Sequence, residues 1–339
     1  MQHDRITSLQ VAERAGVSQS AVSRVFTPGA SASAKTVAKV KKAAVELGYR
    51  PNMMARAMIT GKSRIIGLVV AYLDNQFYPL ALEHLSNALQ EQGYHVLVFT
   101  ASNTKREIDE VIQELLDYQV DGIITASVGM SSDLTDRCKA AGIPVVMFNR
   151  SQDGADVGSV TSDNVAAGRK VADFLVEAGH KNIAHISGWA GSSTGRDRQQ
   201  GLIEGLQCHN QEPTAIIDGK YDRAIAAQAA RDLMNSPSPP DAIFVGNDHM
   251  AFAVLDTCRF ELNLDVPRDV AIIGFDDVPL AAWPAYNLTT VRQPLVRMIN
   301  ATVEMIIGQI GEGEIAPSRI VFDGPLIQRG TTRPPKGTI

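Results

Sequence analysis

Apolar residues recur through the first fifty positions at the spacing of short helices. From Ile65 onward they gather into compact runs separated by longer amphipathic stretches. Leu9, Val11, Ala12 and Ala15 fall at helical spacing after Ser8, and Gly16 can take the positive φ that closes a helix. Ser18 stands as N-cap of a second helix, Gln19 to about Phe26, and Ser33 caps a third, Ala34 to Leu47, stopped by Gly48. Further on, Ile65–Val70, His95–Phe99, Val120–Ile124 and Val145–Phe148 predict buried strands, with a helix over Leu80–Gln92 and others between. The alternation resumes at Ile183–Ile186, Ala242–Val245 and Val270–Ile273. This order predicts an α/β body with parallel sheets, split into two sub-domains facing one another across a cleft. The expected organisation is a three-helix helix-turn-helix head over residues 1–50, a linker over 51–62 and a body over 63–339.

Ala12, Gly16 and Val22 have the spacing that two helices crossing through a tight turn require: a small residue, a turn glycine and a β-branched anchor. The second helix then displays Gln19, Ser20, Ser23 and Arg24. These types suit the major groove, Gln for adenine, Arg for guanine or phosphate, Ser for either. Charge points the same way. Residues 1–62 hold ten Lys/Arg against three acids, a net of +7, while the remainder carries 22 basic and 34 acidic residues, a net of -12. A basic head on an acidic body suits phosphate contact at one end only.

Composition narrows the class further. With 45% hydrophobic and 20% charged residues the chain reads as an ordinary soluble protein, and no apolar run approaches the roughly 18 residues that span a bilayer. Met1–Arg5 has no apolar segment behind its charge, so no secretory signal is expected, and a cytoplasmic protein is. Cys138, Cys208 and Cys258 lie far apart, and the seven histidines form no metal-type cluster, so neither a metal nor a cofactor is expected. No Gly-x-Ser-x-Gly or Walker A motif occurs, and Asp276 and Asp277, being adjacent, tend to point to different sides. An enzyme is not expected. A secreted sugar-binding protein would share the body's pattern but would have a signal and no basic head.

The run Ile6-Thr7-Ser8-Leu9-Gln10-Val11-Ala12-Glu13-Arg14-Ala15-Gly16-Val17-Ser18-Gln19-Ser20-Ala21-Val22-Ser23-Arg24-Val25 closely resembles the head of the lactose-repressor (LacI/GalR) family. So does Lys35-Thr36-Val37 continuing to Glu46-Leu47-Gly48-Tyr49-Arg50-Pro51-Asn52. The resemblance implies a homodimer on a near-palindromic operator, with Gln19 and Ser20 reading bases and Arg24 adding a base or phosphate contact. Thr7, Ser18, Ser23, Asn52, Arg56 and Met58 complete the expected DNA-binding set. Thr27-Pro28-Gly29-Ala30 departs from the family's commoner Asn-Gly loop. The linker's Met53–Gly61 is too short to be a stable helix alone. The family likeness implies that it forms and pairs on DNA, with Met58 as an apolar wedge in the minor groove and Arg56 at a phosphate.

The resemblance continues through the body, to a periplasmic-binding-protein-like core. Ligands of open parallel sheets sit beyond the carboxyl ends of the strands, which here carry polar and aromatic groups. By resemblance, the effector contacts are Asp74, Phe77 and Tyr78, then Asn149 and Arg150, then Asp163, Ser192, Thr194 and Arg198, with Asn247 and Asp276. Ser127 is added from its strand end, and Tyr221 as an aromatic wall. Arg196 lies nearby, but the alignment gives the effector role to Arg198. The expected effector is a sugar, a sugar acid or a sugar phosphate, and the expected function is a repressor whose operator affinity it controls. The tail after Arg329 lacks the leucine heptads that would build a tetramer.

Overall fold

Reciprocal capping and glycine stops set the limits of the first helices. The computed structural model describes residues 6–27, 30–50, 61–101, 105–129, 131–152, 157–312 and 318–335, and divides into two units, Met1–Ser63 and Arg64–Ile339. In the first unit, α1 (Ser8–Ala15) opens at Thr7, whose hydroxyl accepts from Gln10 N at 3.4 Å while its own N–H donates to Gln10 Oε1 at 2.8 Å. Gly16 closes it at φ 65°. Ser18 caps α2 (Gln19–Phe26), and α3 (Ala34–Leu47) runs from Ser33 to Gly48 at φ 67°. Val11, Ala12, Ala15, Val22, Val40, Ala43 and Ala44 form the core, mostly small side chains that let the helices approach closely. Asn52, Arg56 and Met58 of the linker lie outside the described residues.

The second unit holds two six-stranded sheets. In the first, β1 (Ile65–Val70), β2 (His95–Thr100), β3 (Gly122–Ala126), β4 (Val145–Phe148), β5 (Gly158–Ser162) and β11 (Arg319–Phe322) lie in the order β11-β5-β4-β3-β1-β2, all parallel. In the second, β6 (Ile183–Ser187), β7 (Ala215–Asp218), β8 (Ala242–Val245), β9 (Ala271–Asp276), β10 (Thr289–Arg292) and β12 (Leu326–Ile327) run β12-β10-β9-β8-β6-β7, with only β12 antiparallel to its neighbour. Helices cover both faces of each, as parallel sheets require. On the first, α5 (Lys105–Asp117) and α6 (Ser132–Ala140) bury Ile112, Leu115 and Leu134 with Ile123 and Val145. Its other face receives α4 (Phe77–Glu91) and α11 (Leu295–Glu312). On the second, α7 (Asn164–Glu177) and α8 (Ser193–Cys208) oppose α9 (Arg223–Met234) and α10 (Asp248–Asp256).

The chain passes between the sheets three times, after Ser162, after Arg292 and after Phe322. Consequently α11 and β11 belong to the first sub-domain although they follow the second in sequence. Apolar runs do not announce β5, whose Gly158-Ser159-Val160-Thr161-Ser162 is mostly polar yet wholly buried. Nor do they announce β10, Thr289-Thr290-Val291-Arg292, buried in all but Arg292. Helix α4 begins three residues before the predicted Leu80, because Asn75 Oδ1 accepts from Phe77 N at 3.2 Å and Pro79 fits a first turn.

Helices α7 and α8 approach to backbone contact. A Cβ on Gly201 would stand 2.1 Å from the Val165 carbonyl oxygen, and one on Gly168 would stand 2.4 Å from that of Arg198. This contact fixes where α8 carries Arg198. Gly201→Ala is expected to cost ~1–3 kcal/mol through overpacking, read as a lower denaturant midpoint; an unchanged midpoint would mean that the helices are free to part.

Candidate functional site

On the head, packing of Val22 into the core leaves the opposite side of α2 outward, so Ser18, Gln19, Ser20, Ser23 and Arg24 are all exposed. They are pre-arranged by short contacts. Ser18 Oγ lies 3.0 Å from Ser20 Oγ, Gln19 Nε2 donates to Ser8 Oγ at 2.9 Å, and Arg24 Nε reaches the Ser20 carbonyl at 3.4 Å. Thr7 is exposed at the start of α1, where its side chain is engaged as the cap.

In the body, strand ends from both sheets meet around a small, nearly closed cavity. Tyr72, Asn75, Tyr78, Ser127 and Asn149 line it from the first sub-domain, and Thr194, Arg198, Tyr221, Asn247 and Asp276 from the second. Tyr72, Ser127, Asn149, Tyr221 and Asp276 all have positive φ. Half of the lining is thus held in sparsely populated backbone conformations, and such strain gathers at ligand sites.

Arg198 is the fixed point of the cavity. Its Nε donates to Asn164 Oδ1 at 2.8 Å and its Nη1 to the Gly246 carbonyl at 2.6 Å. Nη2 lies 3.9 Å from Asp276 Oδ1, and the guanidinium covers the Phe275 ring at 3.5 Å. Gln293, in the second crossing, donates to Asp276 Oδ1 at 2.7 Å and accepts from Ser162 Oγ at 2.7 Å, while Asn164 Nδ2 donates to the Ser162 carbonyl at 3.0 Å. The circuit Ser162–Gln293–Asp276–Arg198–Asn164 therefore closes on itself through two of the three crossings.

Other contacts bridge the cleft. Ser151 N donates to Ser193 Oγ at 3.1 Å, Arg150 lies 5.7 Å over the Trp189 ring, and Tyr72 meets Tyr221 edge-on at 6.2 Å. Asn75 hydrogen-bonds the Asp276 carboxylate. Tyr221 Oη lies 2.9 Å from Thr194 Oγ1 and 3.4 Å from Ser192 Oγ. Burial raises the phenol pKa of Tyr72 and Tyr78, so both stay neutral hydrogen-bonding groups.

Of the expected effector residues, Tyr78, Ser127, Asn149, Thr194, Arg198, Tyr221, Asn247 and Asp276 line the cavity. Ser192 stands beside it as the N-cap of α8, and Asn247 also caps α10. Arg150 is not among the lining residues but lies over the Trp189 ring where the lobes meet, and three more are placed elsewhere. Phe77 is buried against Phe148, ring centroids 6.3 Å apart, because its helix turns it into the core. Asp163 caps α7, accepting from Ala166 N at 2.9 Å. Asp74 is exposed in a neighbouring hollow, 3.4 Å from His249. Arg196 is exposed while Arg198 is buried. Tyr72 and Asn75 were not anticipated as lining. An aromatic residue directly behind a buried strand is a usable signal for the first; the amide of Asn75 gave none that separated it from its polar neighbours.

Behind the cavity Asp248 is fully buried, accepting from Thr290 Oγ1 at 2.6 Å and Val278 N at 3.0 Å. Burial holds both Asp248 and Asp276 above the usual carboxylate range; Asp276's charge raises Asp248 further, and Arg198 draws Asp276 back. A carboxyl whose folded pKa exceeds its unfolded one stabilises the fold while protonated, and that contribution is lost as pH rises through the folded value. The body is therefore expected to lose thermal stability as pH rises from about 4, where the unfolded carboxyls ionise, to about 8, where the loss is complete. Asp248→Asn should flatten this decline in a melting-temperature series; an unchanged slope would assign it to other groups.

Among the described residues no helix is long and apolar enough to cross a membrane, and no group of three or more His, Cys, Asp or Glu is placed to hold a metal ion. Residues 9–52 match the model for bacterial regulatory proteins of the lacI family, and residues 172–332 that for the periplasmic binding protein-like domain. The HTH-type transcriptional regulator AscG of Escherichia coli K12 is 30% identical over 328 residues, 95% of this chain and 97% of that protein. CelR of Thermobifida fusca is 31% identical over 336 residues, covering 96% and 98%. Among solved structures, the lac repressor dimer bound to operator and an anti-inducer matches with TM-score 0.87 at 25% identity, over 97% of this chain and 99% of that one. A CelR–cellobiose complex matches with TM-score 0.72 at 30% identity, over 96% and 100%.

Proposed function

Because this chain belongs to the lacI family of bacterial regulatory proteins, and is thus a DNA-binding transcriptional regulator rather than an enzyme, we propose how its parts divide the work. Residues 1–50 read a near-palindromic operator as one half of a homodimer, 51–62 link head to body, and 63–339 bind a sugar-like effector. The protein acts as a repressor in the cytoplasm, where its DNA lies. The observation that carries the reading is the cavity itself. Two lobes joined by three chain crossings close on a shared set of hydroxyl, amide, guanidinium and carboxylate groups. Such a set suits a compound rich in hydroxyls. Its aromatic members, Tyr72, Tyr78 and Tyr221, add faces on which a sugar ring can rest.

The mechanism follows from the bridging contacts. Asn75–Asp276, Arg150–Trp189 and Ser151–Ser193 exist only while the lobes are together. A ligand that touches both lobes favours the closed state by its difference in affinity between closed and open forms. Operator affinity then changes by the same coupling free energy, and DNA changes effector affinity reciprocally. The relatives named above support this reading, since one was solved on its operator with an anti-inducer and another with cellobiose.

Ser18, Gln19, Ser20, Ser23 and Arg24 form the proposed reading surface, with Thr7 beside them. Arg24→Ala is expected to weaken operator binding about 10- to 100-fold, measured by fluorescence anisotropy on labelled duplex; retention of full affinity would move the reading surface elsewhere. Arg198→Ala is expected to abolish the effector's effect on operator affinity, read by titrating candidate sugars into the protein–DNA complex. A normal response in that variant would place the effector outside the cleft.

A further inference from the structure

The two arginines of the cleft are not in the same state. Every nitrogen of Arg198 faces a protein partner, as described. Arg150, at the end of β4, is 4% exposed, yet its Nε and Nη2 have no hydrogen-bond partner among the described residues. It makes no ion pair among them; its neighbours are the Tyr72 hydroxyl and the Trp189 face. Among the described lining residues the one carboxylate, Asp276, is taken by Arg198, Gln293 and Asn75. A guanidinium cannot shed its proton to escape burial, so a buried cation of this kind calls for a compensating anion.

Nε and Nη2 form one edge of the guanidinium, with two parallel N–H groups that match two oxygens of a carboxylate or phosphate. The preceding residue, Asn149, lines the cavity and donates to Tyr78 Oη at 3.2 Å, while its Oδ1 has no partner among the described residues, an acceptor suited to a ligand hydroxyl. We propose that the effector is an anionic polyhydroxy compound, whose carboxylate or phosphate docks on the Nε–Nη2 edge of Arg150 while a hydroxyl donates to Asn149. This rests on the reading of the cleft as the effector site.

The test is calorimetric titration and thermal shift of the full-length protein at constant ionic strength. The probes are glucuronate, galacturonate, gluconate and glucose 6-phosphate, against glucose and galactose, with inorganic phosphate as the minimal anion. At least one anion is expected to bind and to lose on the order of 100-fold in affinity in Arg150→Met. Arg150→Lys should restore only part, since an ammonium lacks the fork. Circular dichroism establishes that both variants fold, and Arg150→Gln replaces either that does not. The carboxylate and phosphate arms identify which oxyanion is recognised. Equal binding of a neutral sugar by the wild type and Arg150→Met would overturn the proposal while leaving the cleft as effector site. A panel in which no anion prefers the wild type overturns it likewise. Ligand binding unaffected by both Arg150→Met and Arg198→Ala would instead overturn the reading of the cleft.

Discussion

The burial of one guanidinium organises the body. Arg198 is 2% exposed, and a cation so placed is tolerable only if its donors and its charge are both met. Meeting them draws in parts that are remote in sequence: the first crossing through Asn164, the end of β8 through Gly246, and the end of β9 through Phe275 and Asp276. Gln293 then joins Asp276 to Ser162, so the second crossing is tied to the first. The glycines at the α7–α8 contact allow Arg198 to reach this place. The cavity wall is therefore tied directly to two of the crossings that join the lobes, through Asp276 and Arg198.

In the proposed reading of the cleft, ligand recognition and closure use the same atoms. Asp276 receives hydrogen bonds from Gln293 in a crossing and Asn75 in the opposite lobe, and it is one of five lining residues at positive φ. Residues in such conformations persist when their surroundings over-determine them. Here the surroundings are strand ends packed on both faces. The pair Asp248–Asp276 adds a proton-sensitive element beneath the wall. Its cost falls on stability, while its position couples the state of the wall to Thr290 and Val278 behind it.

The architecture was legible in the sequence wherever one physical signal dominated. Capping residues and glycines marked the head helices, because Ser18, Ser33, Gly16 and Gly48 satisfy backbone groups locally. Hydrophobic runs marked β1, β4 and β8, buried on both faces. They did not mark β5 or β10, where Ser and Thr occupy buried strand positions and Ser162, Thr289 and Thr290 find partners only once the chain is folded. Family resemblance brought most of the cavity together. It missed where a side chain's direction depends on helix phase: Phe77 turns inward, Asp163 is absorbed by a cap, and Asp74 faces outward to His249. Tyr72 follows a buried strand closely enough to be a candidate, but the direction of its side chain depends on a positive φ that exists only in the fold. The difference between Arg150, with two nitrogens unmet among the described residues, and Arg198, saturated, exists only in three dimensions.

The interleaving of the two lobes has a consequence for how the protein is made. The head has its three helices and their core within the first fifty residues, so it can form as soon as that stretch leaves the ribosome. The first lobe cannot. Its sheet ends at β11 and one face is covered by α11, both synthesised after the whole of the second lobe's parallel core. At ~5–20 residues per second, the stretch between β5 and β11 takes on the order of ten seconds to translate. During that interval β5 has an open edge and β3 and β4 lack their cover. A nascent chain with a finished head and an unfinished sensor is thus an obligatory stage of synthesis. Any prematurely terminated product would keep the DNA-reading half without the half that governs it.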